Sequence, residues 1–270
     1  MTPPLRHEAL RLLALPDPLQ KAAGTRALFA TMAQHPLDAA EHLPEPPGLP
    51  GRPPLPTLVP ADAVPRRTPF TLEGRAALLH AIAHIEFNAI NLALDAVWRF
   101  DGMPPAFYHD WMRVAAEEAL HFSLLREHLA TLGHGYGDFD AHNGLWSMTA
   151  ATRHDIIARM ALVPRTLEAR GLDATPLIQA KLRKAGDERA VEILDLILRD
   201  EVGHVAIGNH WYRWLCERDG IDALLHYRGL VQQYDAPRLR PPFNLAARRA
   251  AGFSQAELDE LEGPLGGKPR

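Results

Sequence analysis

Cysteine is almost absent from this sequence: Cys216 is the only one in 270 residues. No intramolecular disulfide can form, and thiolate metal clusters lack ligands. Cys216 follows the aromatic stretch Trp211-Tyr212-Arg213-Trp214-Leu215 and is expected to pack in the core as a small apolar residue. Excess charge is also missing. The formal net charge is −4, too small for general attraction to nucleic acid or anionic lipid, so neither is an expected partner. Arg66-Arg67 and Arg248-Arg249 are short basic groups that read as solvated surface. No P-loop, Gly-x-Gly-x-x-Gly or Gly-x-Ser-x-Gly is found, which removes the usual nucleotide-binding and serine-hydrolase signatures. Nor does any uninterrupted apolar run approach the roughly 18 residues of a membrane span. Leu10 to Leu15 is too short for a signal h-region, and Pro16 follows it. A cytoplasmic location is the expectation. Period-two alternation of β-branched residues is lacking as well, so the fold class is all-α.

What the chain does have is proline, concentrated in one place. Positions 36, 44, 46, 47, 50, 53, 54, 56, 60, 65 and 69 are all proline. That density prevents helix and favours an extended strap over the surface, with Leu55, Leu58, Val59, Val64 and Phe70 available as anchors. Before it, residues 5–15 and 18–34 read as short helices. After it, Thr71 can cap a helix reaching about Phe100, and Pro104-Pro105 opens another reaching about Leu132. Thr149 is placed as the cap of a third helix, kinked at Pro164 and stopped by Gly171, with a shorter helix from Thr175 to Lys184. Asp187 opens the fourth long helix, which ends near Asp219-Gly220. Ser254 and Glu257 form a capping box in the tail. The expected division is residues 1–70 as N-terminal helices and strap, 71–220 as a four-helix bundle, and 221–270 as a C-terminal helical extension.

The chemistry lies in two Glu-x-x-His motifs, Glu118-Ala119-Leu120-His121 and Glu201-Val202-Gly203-His204. Residues three apart share a helix face, so each pair can grip one metal ion. Either motif alone is weak, since one is expected by chance in a chain with 14 histidines. Glu86 and Glu168 strengthen the pattern. Each falls on an otherwise apolar face, where a lone carboxylate is costly to bury and a metal removes that cost. The chain then reads Glu, Glu-x-x-His, Glu, Glu-x-x-His on successive helices. This order supplies a two-metal site: Glu86, Glu118, His121, Glu168, Glu201 and His204. Four carboxylates balance two divalent cations. Mixed oxygen and imidazole ligation suits iron best, manganese next, and zinc less well. His84, two residues from Glu86, is expected to be structural or to support the ligands from behind.

These strings resemble the ferritin-like superfamily of two-metal carboxylate bundles. Within it, His84-Ile85-Glu86, Glu117-Glu118-Ala119-Leu120-His121-Phe122, Glu168-Ala169-Arg170-Gly171-Leu172-Asp173, Arg199-Asp200-Glu201-Val202-Gly203-His204-Val205 and Pro241-Pro242-Phe243-Asn244 look like a bacterial branch called domain of unknown function 455. The tRNA-modifying di-iron hydroxylase is a more distant likeness. The resemblance implies a ferritin-like four-helix bundle in which the acid preceding each motif serves the imidazole of the other. That gives Asp200 to His121 and Glu117 to His204. It also implies an oxygen-activating oxidoreductase acting on a small-molecule substrate and fed by a separate electron-donor protein, because nothing here binds flavin or an iron–sulfur cluster. The alternatives are iron oxidation or peroxide detoxification without an organic substrate, and a purely structural metal site.

Overall fold

The computed structural model describes residues 2–263. All regular structure among them is helical, apart from an isolated bridge between Leu58 and Ala141. The chain forms two compact units. One holds residues up to 147 with 184–193; the other holds 148–183 with the residues from 194 onward.

The first unit is built on a helical hairpin. α3 (Leu72–Arg99) starts at Thr71, whose hydroxyl accepts from the Gly74 amide. That bond satisfies one of the free amides of the first turn. α3 ends before Asp101-Gly102, where Gly102 takes a φ of +70° that other residues rarely adopt. α4 (Pro105–Thr131) then begins with proline in its first turn, where no amide is needed. α3 packs along α4. Leu79, Ala83, Ile90 and Val97 of α3 are buried, as are Trp111, Val114, Phe122 and Leu125 of α4. Each such large side chain contributes about 1.5–3 kcal/mol by leaving water. α3 is long and apolar enough to cross a membrane by composition, yet 72% of its most apolar window is buried against protein.

α1 (Leu5–Leu13) packs on α3, and α2 (Pro18–Ala30) packs on α4. Buried cations fasten them. The Arg6 guanidinium donates to the carbonyls of Val97 (3.3 Å) and Trp98 (2.7 Å) at the end of α3, and to those of Asp38 (3.1 Å) and Glu41. It thereby satisfies helix-end acceptors that have no partner within α3.

The proline-rich stretch is a strap on this unit, but the expected anchors do not hold it. Leu55, Leu58 and Phe70 are exposed, and Val59 and Val64 are only partly covered. Leu43, Pro50 and Pro56 are buried instead. Backbone bonds do much of the fastening: Gly51 N to Leu13 O (2.9 Å), Val59 N to Ala141 O (2.9 Å) and Ala141 N to Thr57 O (3.0 Å). Proline removes donors from the strap, so its few remaining amides carry the register. The segment 184–193 joins the unit through Asp187. Its carboxylate accepts from the Ala190 amide, capping α8 (Glu188–Arg218), and also meets His128 Nε2 at 2.8 Å.

In the second unit the helix boundaries differ from expectation. Thr149 lies inside α5 (Gly144–Ala151) rather than capping a long helix. The chain breaks at 152–155, and Asp155 is the cap, accepting from Ala158 N for α6 (Ile156–Leu162). Arg159 secures this break by donating to Thr149 O (2.6 Å) and Thr152 Oγ1 (2.9 Å). Pro164 distorts the helix, as its missing amide requires, but through a π-helical segment, Val163–Glu168. Thr166 Oγ1 donates to Ala161 O at 2.8 Å within that widened stretch. Gly171 does not stop the helix. α7 (Ala169–Lys184) runs through it, merging what the sequence suggested were two helices.

α9 (Ala223–Gln233), α10 (Leu245–Ala250) and α11 (Gln255–Glu262) complete the unit, with the Ser254–Glu257 capping box in place. Arg248 is fully buried and donates to Asp173 Oδ1 (3.0 Å), Asp173 Oδ2 (2.5 Å) and Ala169 O (3.2 Å), docking α10 on α7. Cys216 is buried, with its thiol pKa raised chiefly by burial.

Candidate metal centre

Glu86 lies mid-way along α3, on the face that carries Leu79, Ala83 and Ile90. Glu118 and His121 lie on α4, three residues apart and hence on one face. All three are buried, at 6%, 1% and 0% exposure. Their ligand atoms lie within 4.8 Å of one another. His121 Nδ1 is 3.2 Å from Glu86 Oε2 and 3.4 Å from Glu118 Oε2. Burial raises the Glu86 carboxyl well above its usual pKa, and the neighbouring Glu118 carboxylate raises it further. Two carboxylates and an imidazole at this depth form a donor set that a divalent cation both fits and neutralises.

Phe87 follows Glu86, and Phe122 follows His121. Their rings lie 5.5 Å apart, and Tyr136 meets Phe122 edge-on at 5.0 Å. Phe87 and Tyr136 are 5.7 Å apart, so the three rings form one aromatic cluster joining α3 to α4.

In the second unit, Glu201 and His204 share a face of α8, with His204 Nδ1 3.4 Å from Glu201 Oε2. Glu168 is the last residue of the π segment and is 7% exposed. A Cβ at Gly171 would lie 3.6 Å from Glu201 Oε1, so α7 passes within van der Waals distance of the Glu201 carboxylate.

Asp200 accepts from Arg199 Nε at 2.9 Å. Glu117 is half-buried and lines a groove of about 560 Å³ with Arg26, Phe29 and Leu120. His84 is part of a separate network: its Nδ1 is 2.9 Å from Tyr136 Oη, and Asn88 Nδ2 is 3.0 Å from its Nε2. Burial lowers its pKa to about 3, keeping the ring neutral.

Residues 14–259 match the model of a family described as protein of unknown function, DUF455. An uncharacterized protein of Haemophilus influenzae is 57% identical over 214 residues, covering 77% of this chain and 74% of the relative. No solved structure matches.

Proposed function

The chain belongs to the DUF455 family, and from that premise we propose that it is a two-metal carboxylate protein that activates oxygen. The observation that carries this is the buried trio Glu86, Glu118 and His121. We assign α3, α4, the stretch from α6 through α7, and α8 to the four helices of a ferritin-like bundle. The second metal falls to Glu168, Glu201 and His204, on the order of ligands along the chain. The assignment of Asp200 and Glu117 to the two imidazoles rests on that same order.

Iron is the metal that this mixed carboxylate and imidazole set suits best, with manganese second. When bound, an iron pair supplies two electrons for the reduction of dioxygen. The chain's own residues do the rest. Glu86 and Glu118 neutralise the cation, and the i, i+3 spacing sets the angle between Glu118 and His121. The burial of Glu86, Glu118 and His121 keeps water from the site, which strengthens every charge interaction inside it. An external protein must deliver the electrons, and a small organic molecule is the substrate class.

Anaerobic loading with ferrous iron followed by mixing with oxygenated buffer tests the proposal. Wild type is expected to consume oxygen with a change in visible absorbance, and Glu118→Ala is expected to lose both. Oxygen consumption unaffected by the substitution overturns the assignment. Consumption that ends in ferric mineral would point to iron handling instead. Bound iron that is inert to oxygen would mean a structural site.

A further inference from the structure

A second polar cluster lies on a different face of α3 from Glu86, and metal binding does not use it. Lys21 is completely buried. Its ammonium donates to Leu13 O (3.0 Å), Gly51 O (2.9 Å) and Asn91 Oδ1 (2.5 Å), and sits 5.0 Å over the Phe87 ring. All three of its hydrogens are therefore used, yet its charge is not balanced. The charge acting on Lys21 is another cation, Arg52, whose guanidinium lies 5.8 Å over Trp146. Among the described residues no carboxylate forms an ion pair with either cation: the other groups electrostatically linked to Arg52 are the Tyr136 hydroxyl and the His84 ring. Burial, with Arg52 adding to it, lowers the Lys21 pKa to about 7.

Two donors in this cluster lack a partner among the described residues: Arg52 Nη2 and Asn91 Nδ2, both inaccessible to solvent. Asn91 itself is 0% exposed. A buried cation and a half-buried one without a counter-charge, beside inaccessible donors without acceptors, are costly on both counts. One kind of group removes both costs at once: a negatively charged oxygen acceptor.

We propose that Lys21, Arg52 and Asn91 form a receptor for one oxyanion, a carboxylate or phosphate group, between the strap and α3. Arg52 Nη2 and Asn91 Nδ2 donate to its oxygens, and Lys21 supplies charge. Binding fastens the strap, because Gly51 and Arg52 belong to it.

The test is thermal melting of the full chain, with its metal content held equal, in increasing sodium phosphate or sodium acetate. Ionic strength is kept constant with sodium chloride. At tenfold the dissociation constant the melting temperature is expected to rise by about 3–6 °C and to saturate. A response to phosphate alone identifies a phosphate site, and a response to acetate alone a carboxylate site. Arg52→Gln is expected to weaken the response at least tenfold. Asn91→Asp places a carboxylate beside Lys21, so this variant is expected to melt higher without added anion and to lose the response. No saturable rise with either anion in wild type overturns the proposal. So does an unchanged midpoint in Arg52→Gln, or, should that variant not fold, a wild-type response in Asn91→Asp.

Discussion

His121 Nδ1 lies 3.2 Å from Glu86 Oε2, joining α4 to α3 across 35 residues of sequence at a depth where neither side chain is more than 8% exposed. A salt bridge so deep is weak evidence for stability, because desolvation offsets most of the attraction. With Glu118 1% exposed and its carboxylate 3.4 Å from the same imidazole, the cluster carries more acid than one histidine can neutralise. The proposed metal would neutralise that surplus, and the predictions rest on that proposal and on the elements that hold the cluster.

The π segment places Glu168. Pro164→Ala restores an amide at position 164 and permits a regular α-helix. Removing the one-residue widening would rotate Glu168 by about 100° around the helix axis. Helix content measured by circular dichroism should stay constant, while metal affinity in titration should fall about tenfold or more. A variant that binds metal as wild type does would mean the π segment is incidental.

Gly208 of α8 supports the same bend. A Cβ there would lie 2.6 Å from both Cβ and Cγ of Pro164. Gly208→Ala is therefore expected to cost about 1–3 kcal/mol in urea unfolding, the usual penalty of overpacking. Unchanged stability would show that the two helices can part there without loss.

His80 sets a pH dependence. It is fully buried, and burial lowers its pKa to about 4 from 6.5, with Asp138 acting weakly the other way. Its Nε2 accepts from the Gly137 amide at 2.9 Å, which requires that nitrogen to be unprotonated. Between pH 6.5 and 4 the unfolded chain binds a proton that the folded chain refuses. The stability that His80 contributes is therefore full above pH 6.5 and falls by about 3 kcal/mol as the pH drops to 4, with the neutral His84 adding to the loss in the same sense. His80→Gln keeps an acceptor for Gly137 and is expected to flatten that slope. Equal slopes in the two proteins would assign the acid loss to other groups.

Much of the helical framework was legible from local chemistry. Thr71, Pro105, Asp187 and Ser254 sit at the helix starts their side chains imply. Each signal is contained within one turn. The misplacements came from long-range contacts. Thr149 is as good a cap as Asp155 by residue type, and Arg159 bonding back to both Thr149 and Thr152 defines the break. Gly171 resembles a helix stop, but α7 continues through it. Arg248 reads as solvated surface, whereas it is fully buried and bound to Asp173, 75 residues away; Arg6 and Lys21 are buried in the same way, on partners as much as 92 residues away. No pattern along the chain marks such a partner. The trio of Glu86, Glu118 and His121 could be named from order and spacing, because i, i+3 geometry is a property of the helix itself.

The most direct measurement is the metal content of the protein after anaerobic loading with ferrous iron and removal of unbound metal, beside Glu86→Ala and His121→Ala. The predicted result is about two irons per wild-type chain, with loss of bound iron in both variants. Wild-type protein that retains no metal, or variants that retain as much as wild type, would contradict the account.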